Sequence, residues 1–130
     1  MRALQPSKAP VCGVFAATLA TDLAFDDVMA KARKIKKNPG AWKGRLYLTE
    51  LRALLNDVGV QFSEPEGFRK MTLASAAKEL DQDRQYIVFV TGHYLTLHHG
   101  LAYDQYHVAG ASIEEYKFKR RRIRAVLKLH

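Results

Sequence analysis

The chain contains one cysteine, Cys12, which stands directly before GVFAATLA, a small apolar run that reads as the body of a helix. A helix start offers unpaired backbone N–H groups and the positive end of the helix dipole, and both favour thiolate over thiol. A thiolate attacks carbonyl carbon. To do so repeatedly it needs a base that takes and returns a proton, and a third group that orients the base. A lone cysteine is equally an ordinary small hydrophobe of a core, so the two readings divide on whether the fold brings a base to Cys12.

His93 and Asp104 are the residues that answer this. The run YIVFV at 86–90 is strongly β-prone, Gly92 permits a bend, and HYLTLH at 93–98 alternates as a strand does. His99 and Gly100 suit a two-residue turn, after which LAYDQY at 101–106 returns. With that turn, His98 pairs with Leu101, Leu97 with Ala102, Thr96 with Tyr103 and Leu95 with Asp104. His93 and Asp104 then lie diagonally on one face of the hairpin. A carboxylate there holds one imidazole nitrogen and leaves the other for a thiol. The register matters, because a slip of one residue sends the two side chains to opposite faces. His98 and His99 at the tip and His107 beyond the return strand lack the helical spacing or cysteine partners of a zinc site, so no metal and no cofactor is expected. Tyr94, Tyr103 and Tyr106 read as packing residues.

The elements that must position these groups are mostly helical before residue 85. Asp26–Ile35 has amphipathic spacing, with acids at its start and bases at its end as the dipole favours. The stretch 36–44, with Pro39, Gly40 and Gly44, is expected to be a loop carrying Trp42. Thr49 suits the N-cap of a helix from Glu50 to Val58, ended by Gly59. Val60 and Phe62 suggest a short extended piece, and Thr72 suits the cap of a short helix to Leu80. At the C-terminus Ile123, Ala125, Leu127 and Leu129 alternate with mostly basic residues, which reads as an edge strand with a wet basic face. Together these predict an α+β fold, an N-terminal helical layer on a small, mostly antiparallel C-terminal sheet, formed as a single domain over 1–130.

The composition sets limits. The chain has 130 residues, 48% of them hydrophobic and 26% charged, enough for one domain with a real core. A single cysteine excludes an intramolecular disulfide framework and fits a reducing, cytoplasmic setting. No apolar run reaches bilayer-spanning length, so no membrane partner is expected. Lys117, Lys119, Arg120, Arg121, Arg122, Arg124 and Lys128 supply seven of the net +8 charges, with no acid among them. This basic strand or tail, 117–130, is either a solvated face or a contact for nucleic acid or an acidic protein, with Lys119, Arg120, Arg121, Arg122 and Arg124 as the candidate contacts.

The order of these features resembles the papain-like cysteine peptidases. YIVFVTGHYLTLHHGLAYD at 86–104 in particular is similar to small papain-like proteins of tailed bacteriophages, and more distantly to the peptidase domains of bacteriocin-processing transporters. The resemblance covers Cys12 to about Gln105. It implies Cys12 as nucleophile, His93 as general base and Asp104 as orienting residue in the cleavage of a peptide or isopeptide bond of a polypeptide substrate, in the host cytoplasm if the chain is phage-encoded. It also implies a glutamine before the cysteine as oxyanion donor. Gln5 stands there, one residue farther from the cysteine than in the family, with Pro6 and Pro10 between. The alternative is a protein of the same fold that binds or assembles through its basic C-terminus without chemistry.

Overall fold

A computed structural model of the chain describes residues 10–36, 40 and 42–130. The fold is α+β, with four helices and a six-stranded antiparallel sheet among the described residues. Helices α1 (Cys12–Leu19), α2 (Phe25–Ile35) and α3 (Leu48–Asp57) come first. The two-residue strand β1 (Phe62–Ser63), the short helix α4 (Leu73–Ala77) and strands β2 (Tyr86–Val90), β3 (His93–His98), β4 (Leu101–Asp104), β5 (His107–Ser112) and β6 (Ile123–Leu129) follow. Spatial order in the sheet is β1-β6-β2-β3-β4-β5. None of the described helices is long and apolar enough to cross a membrane.

Side chains leave a strand alternately on its two sides, so the sheet carries two cores. On one side Ile87, Tyr94 and Leu127 pack with Val14, Ala17, Val28, Ala32, Leu51, Leu54 and Leu55 of α1–α3. On the other, Val88, Val90, Leu95 and Leu97 pack with Leu73 and Ala76 of α4 and with Tyr116 and Phe118. α1 is enclosed by α2, α3 and β3, and Gly13 through Leu19 are all buried. Its apolar composition on every side follows from that position.

Several expectations change in detail. The third helix begins at Leu48, not Glu50, and its N-cap is Tyr47, not Thr49. The Glu50 carboxylate reaches back to accept from the Tyr47 N–H at 2.8 Å, which takes the place of the hydroxyl cap Thr49 offered. Thr72 does cap α4, its hydroxyl accepting from Ser75 N–H at 3.2 Å. β6 is not the outermost strand, because Phe62 and Ser63 pair with its Leu129 and Lys128. β5 escaped the sequence reading, since HVAGAS has little β-propensity and is held by pairing with β4.

Thr96 is fully buried in β3, and its hydroxyl has no hydrogen-bond partner among the described residues. Burying an unmatched hydroxyl costs about 1–3 kcal/mol in proteins. Thr96→Val keeps the side-chain shape and removes that cost. A rise of about 1 kcal/mol in unfolding free energy is expected, read from a higher urea midpoint at unchanged slope.

Candidate active site

Cys12 is the first residue of α1 and is half-buried. Among the described residues the helix start has neither a side-chain cap nor an acid in its first turn, so nothing there offsets the positive end of the dipole. The His93 side chain and the backbone of Tyr94 and Gly13 lie beside the sulfur and favour its ionised form. The next residue, Gly13, permits this approach of helix to sheet. A Cβ at that position would lie 3.3 Å from the Tyr94 ring and 3.4 Å from Leu46, tighter than ordinary van der Waals contact.

His93 opens β3. It follows the turn at Thr91 and Gly92, where Gly92 adopts φ 76°, a conformation glycine reaches without steric cost. Val90 pairs with His93 across that turn. The hairpin to β4 has the expected register, Thr96 with Tyr103, Leu97 with Ala102 and His98 with Leu101, closed by His99 and Gly100 at φ 53° and 74°. The β3–β4 ladder stops at Thr96 and Tyr103 without the expected Leu95–Asp104 pair, the β4–β5 ladder shifts register between Ala102 and Asp104, and the Asp104 side chain reaches His93. His93 Nε2 donates to Asp104 Oδ2 at 2.8 Å, which leaves Nδ1 as the nitrogen that faces Cys12.

Asp104 is 1% exposed and His93 5%, so the carboxylate must find its donors within the protein. It finds five. Oδ2 accepts from His93 and from the Tyr116 hydroxyl at 2.5 Å. Oδ1 accepts from the N–H groups of Tyr106 and His107, at 2.9 and 2.8 Å, and from His107 Nδ1 at 2.8 Å. The backbone contacts arise because Asp104 begins the two-residue turn into β5, where an Asp side chain caps the N–H groups two and three residues on. An ionised carboxylate only accepts, which fixes a proton on His93 Nε2 and on His107 Nδ1. Phe118 covers the His93 ring, centroids 4.6 Å apart.

The protonation states follow. Burial pushes the Asp104 carboxyl up, but the donors from His93, Tyr116 and His107 and the His93 charge outweigh it, and it titrates well below the usual carboxylate range. Burial likewise pushes the Cys12 thiol up; the His93 hydrogen bond, the Tyr94 N–H, the His93 charge and the Gly13 N–H bring it below the ordinary cysteine value. His93 is lowered by burial and raised further by its bonds to Asp104 and Cys12, ending above the ordinary histidine value. A lowered thiol beside a raised imidazole shifts the pair toward thiolate and imidazolium. Tyr116 is raised by burial first and then by Asp104, so its hydroxyl stays a donor.

The pair opens into a cleft of about 500 Å³, which Arg45, Tyr47, Phe89, Gln105, Tyr106 and Arg124 help to line. Gln5 lies outside the described residues. Lys119 donates to the Glu114 carbonyl, and Arg120 is exposed. Arg121 stacks on Phe118 at 4.2 Å and donates to the Thr91 carbonyl at 3.0 Å. Arg122 donates to the Lys70 carbonyl at 3.1 Å, while Arg124 faces the cleft. Trp42 donates from its indole N–H to the Arg45 carbonyl at 2.5 Å and packs on the helical core.

Three functional neighbours were missed in the sequence. His107 stands three residues after Asp104, a spacing that signals a side chain closing its own turn. Tyr116 and Phe118 gave no local signal, because they meet Asp104 and His93 only through the path of the 113–122 segment. No protein-family model, curated protein or solved structure matches the chain, and the site is read from its own geometry.

Proposed function

We propose that the chain is a papain-like cysteine peptidase that cleaves a peptide or isopeptide bond with Cys12, His93 and Asp104. The observation that carries this reading is the Cys12 sulfur beside His93, which is itself hydrogen-bonded to Asp104, with the sulfur at a helix start and open to a cleft. The placement of a cysteine helix against an antiparallel sheet whose third strand opens with histidine supports the resemblance to small papain-like proteins of bacteriophages.

In this mechanism the Cys12 thiolate attacks the scissile carbonyl carbon, and the carbonyl oxygen becomes an oxyanion beside the helix start. The Cys12 N–H, which precedes the first intrahelical hydrogen bond at Phe15, is the backbone donor nearest that oxygen. His93 gives its Nδ1 proton to the leaving amine, which departs as the acyl-thioester forms. Neutral His93 then takes a proton from water, the hydroxide attacks the thioester, and collapse returns the thiolate and the imidazolium. Asp104 holds the ring throughout and compensates its charge.

A peptide library of diverse sequence, incubated with the protein and sequenced by mass spectrometry, tests the proposal. New termini are expected with the unsubstituted protein and none with Cys12→Ala; identical peptide patterns for the two proteins would overturn it.

A further inference from the structure

We propose that Arg124 and Arg45 form a carboxylate-recognition subsite in the Cys12 cleft, so that the substrate carries an anionic carboxylate close to the bond that is cut. This rests on the peptidase reading and adds the chemical class of the substrate. Among the described residues the cleft lining contains no Asp or Glu, and besides His93 its charged side chains are these two arginines. Both residues are exposed. Neither forms an ion pair among the described residues, whereas Arg52 is held by both oxygens of Glu64. Arg121 and Arg122, close by in sequence, spend their guanidinium groups on backbone carbonyls.

The backbone supplies a second, independent observation. Phe89 pairs with Ala125 and the adjacent Val90 pairs with Ile123, so Arg124 is the additional residue of a β-bulge in β6. A bulge breaks strict alternation and re-aims the side chain it carries. Here a strand that buries Ile123, Val126 and Leu127 presents an arginine to the cleft instead. Leu48, Phe89 and Arg124 also border a second recess of about 690 Å³, whose charged lining is mixed, with Glu64 and Glu66 beside Arg52 and Arg69. A guanidinium fork matches a carboxylate with two parallel hydrogen bonds.

Two alkylating reagents of nearly equal shape test the subsite. Iodoacetate carries a carboxylate and iodoacetamide a neutral amide, and with either the Cys12 thiolate forms a carbon–sulfur bond as iodide leaves. The ratio of iodoacetate to iodoacetamide rates is expected to be higher in the folded protein than in the same protein unfolded in urea. Arg124→Gln and Arg45→Gln should each lower it about fivefold, while Arg124→Lys keeps most of it. The iodoacetamide rate by itself reports the thiolate. A fast iodoacetamide reaction with one and the same ratio in the unsubstituted, R124Q and R45Q proteins would therefore overturn carboxylate recognition alone. Protection of Cys12 from iodoacetamide by short acetylated peptides identifies the source of the carboxylate. Stronger protection by a glutamate-containing peptide amide assigns a side chain, and stronger protection by a neutral peptide with a free C-terminus assigns a chain end. Equal protection by both and by a fully amidated neutral peptide would also overturn the proposal.

Discussion

His93→Ala is expected to slow alkylation of Cys12 by iodoacetamide at pH 6 by on the order of tenfold to 100-fold, and to reduce peptide cleavage by roughly 10⁴-fold or more. The thiol's environment contains opposed effects. Burial pushes it up, and what brings it down is led by the His93 hydrogen bond, with the Tyr94 N–H and the His93 charge behind it. Without the imidazole the burial remains, and the largest of the contributions that lower the thiol is gone. The thiol then titrates higher, and each unit of that rise removes about nine-tenths of the thiolate at a pH below both values. A more basic thiolate is intrinsically more nucleophilic, which restores part of the alkylation rate. Cleavage regains nothing, because the proton donor to the leaving amine has gone as well. A rate–pH profile for H93A that overlays that of the unsubstituted protein would contradict this.

Asp104→Ala carries the second large effect, on stability as much as on chemistry. The substitution orphans five donors at once, from His93, Tyr116, the Tyr106 and His107 N–H groups and the His107 ring. It also leaves His93 buried without its anion. Removing one partner of a buried charged network costs about 3–5 kcal/mol, and a loss of that size is expected in urea unfolding at pH 7. Asp104→Asn should recover only part of it, because the amide NH₂ turns donors toward donors. The pH dependence has a fixed sign. Asp104 titrates lower in the folded than in the unfolded chain. Its contribution is therefore complete above the unfolded carboxylate pKa of about 4 and fades as pH falls below it toward the folded value. The stability difference between the unsubstituted protein and D104A should accordingly shrink on acidification through that window; a difference that stays constant down to pH 2 would show that the carboxylate's charge contributes nothing.

Much of the site was legible because its parts are local. The apolar run after Cys12 reads as a helix, and the hairpin register follows from the two-residue turn at His99 and Gly100, whose positive φ angles are those the turn demands. The diagonal placement of His93 and Asp104 came from that register alone. What stayed hidden depends on distant chain. Tyr116 lies 12 residues beyond Asp104, and no periodicity ties the two. Arg124 looked like one base among many on a wet strand face, because a bulge is a property of the pairing with Phe89 and Val90 and not of β6 itself. The third helix was misplaced at its start for a related reason: Glu50 has its carboxylate on the Tyr47 N–H and on Lys36 at once, and that tertiary contact outweighed the propensity of Thr49 to cap.

The central claim is that Cys12 rests as a thiolate paired with imidazolium. Its most direct test is the ultraviolet absorbance of the thiolate, measured against pH in the unsubstituted protein with Cys12→Ser subtracted. The account predicts absorbance that persists well below the pH at which an ordinary cysteine protonates. Absorbance that disappears at or above the ordinary cysteine value would contradict it.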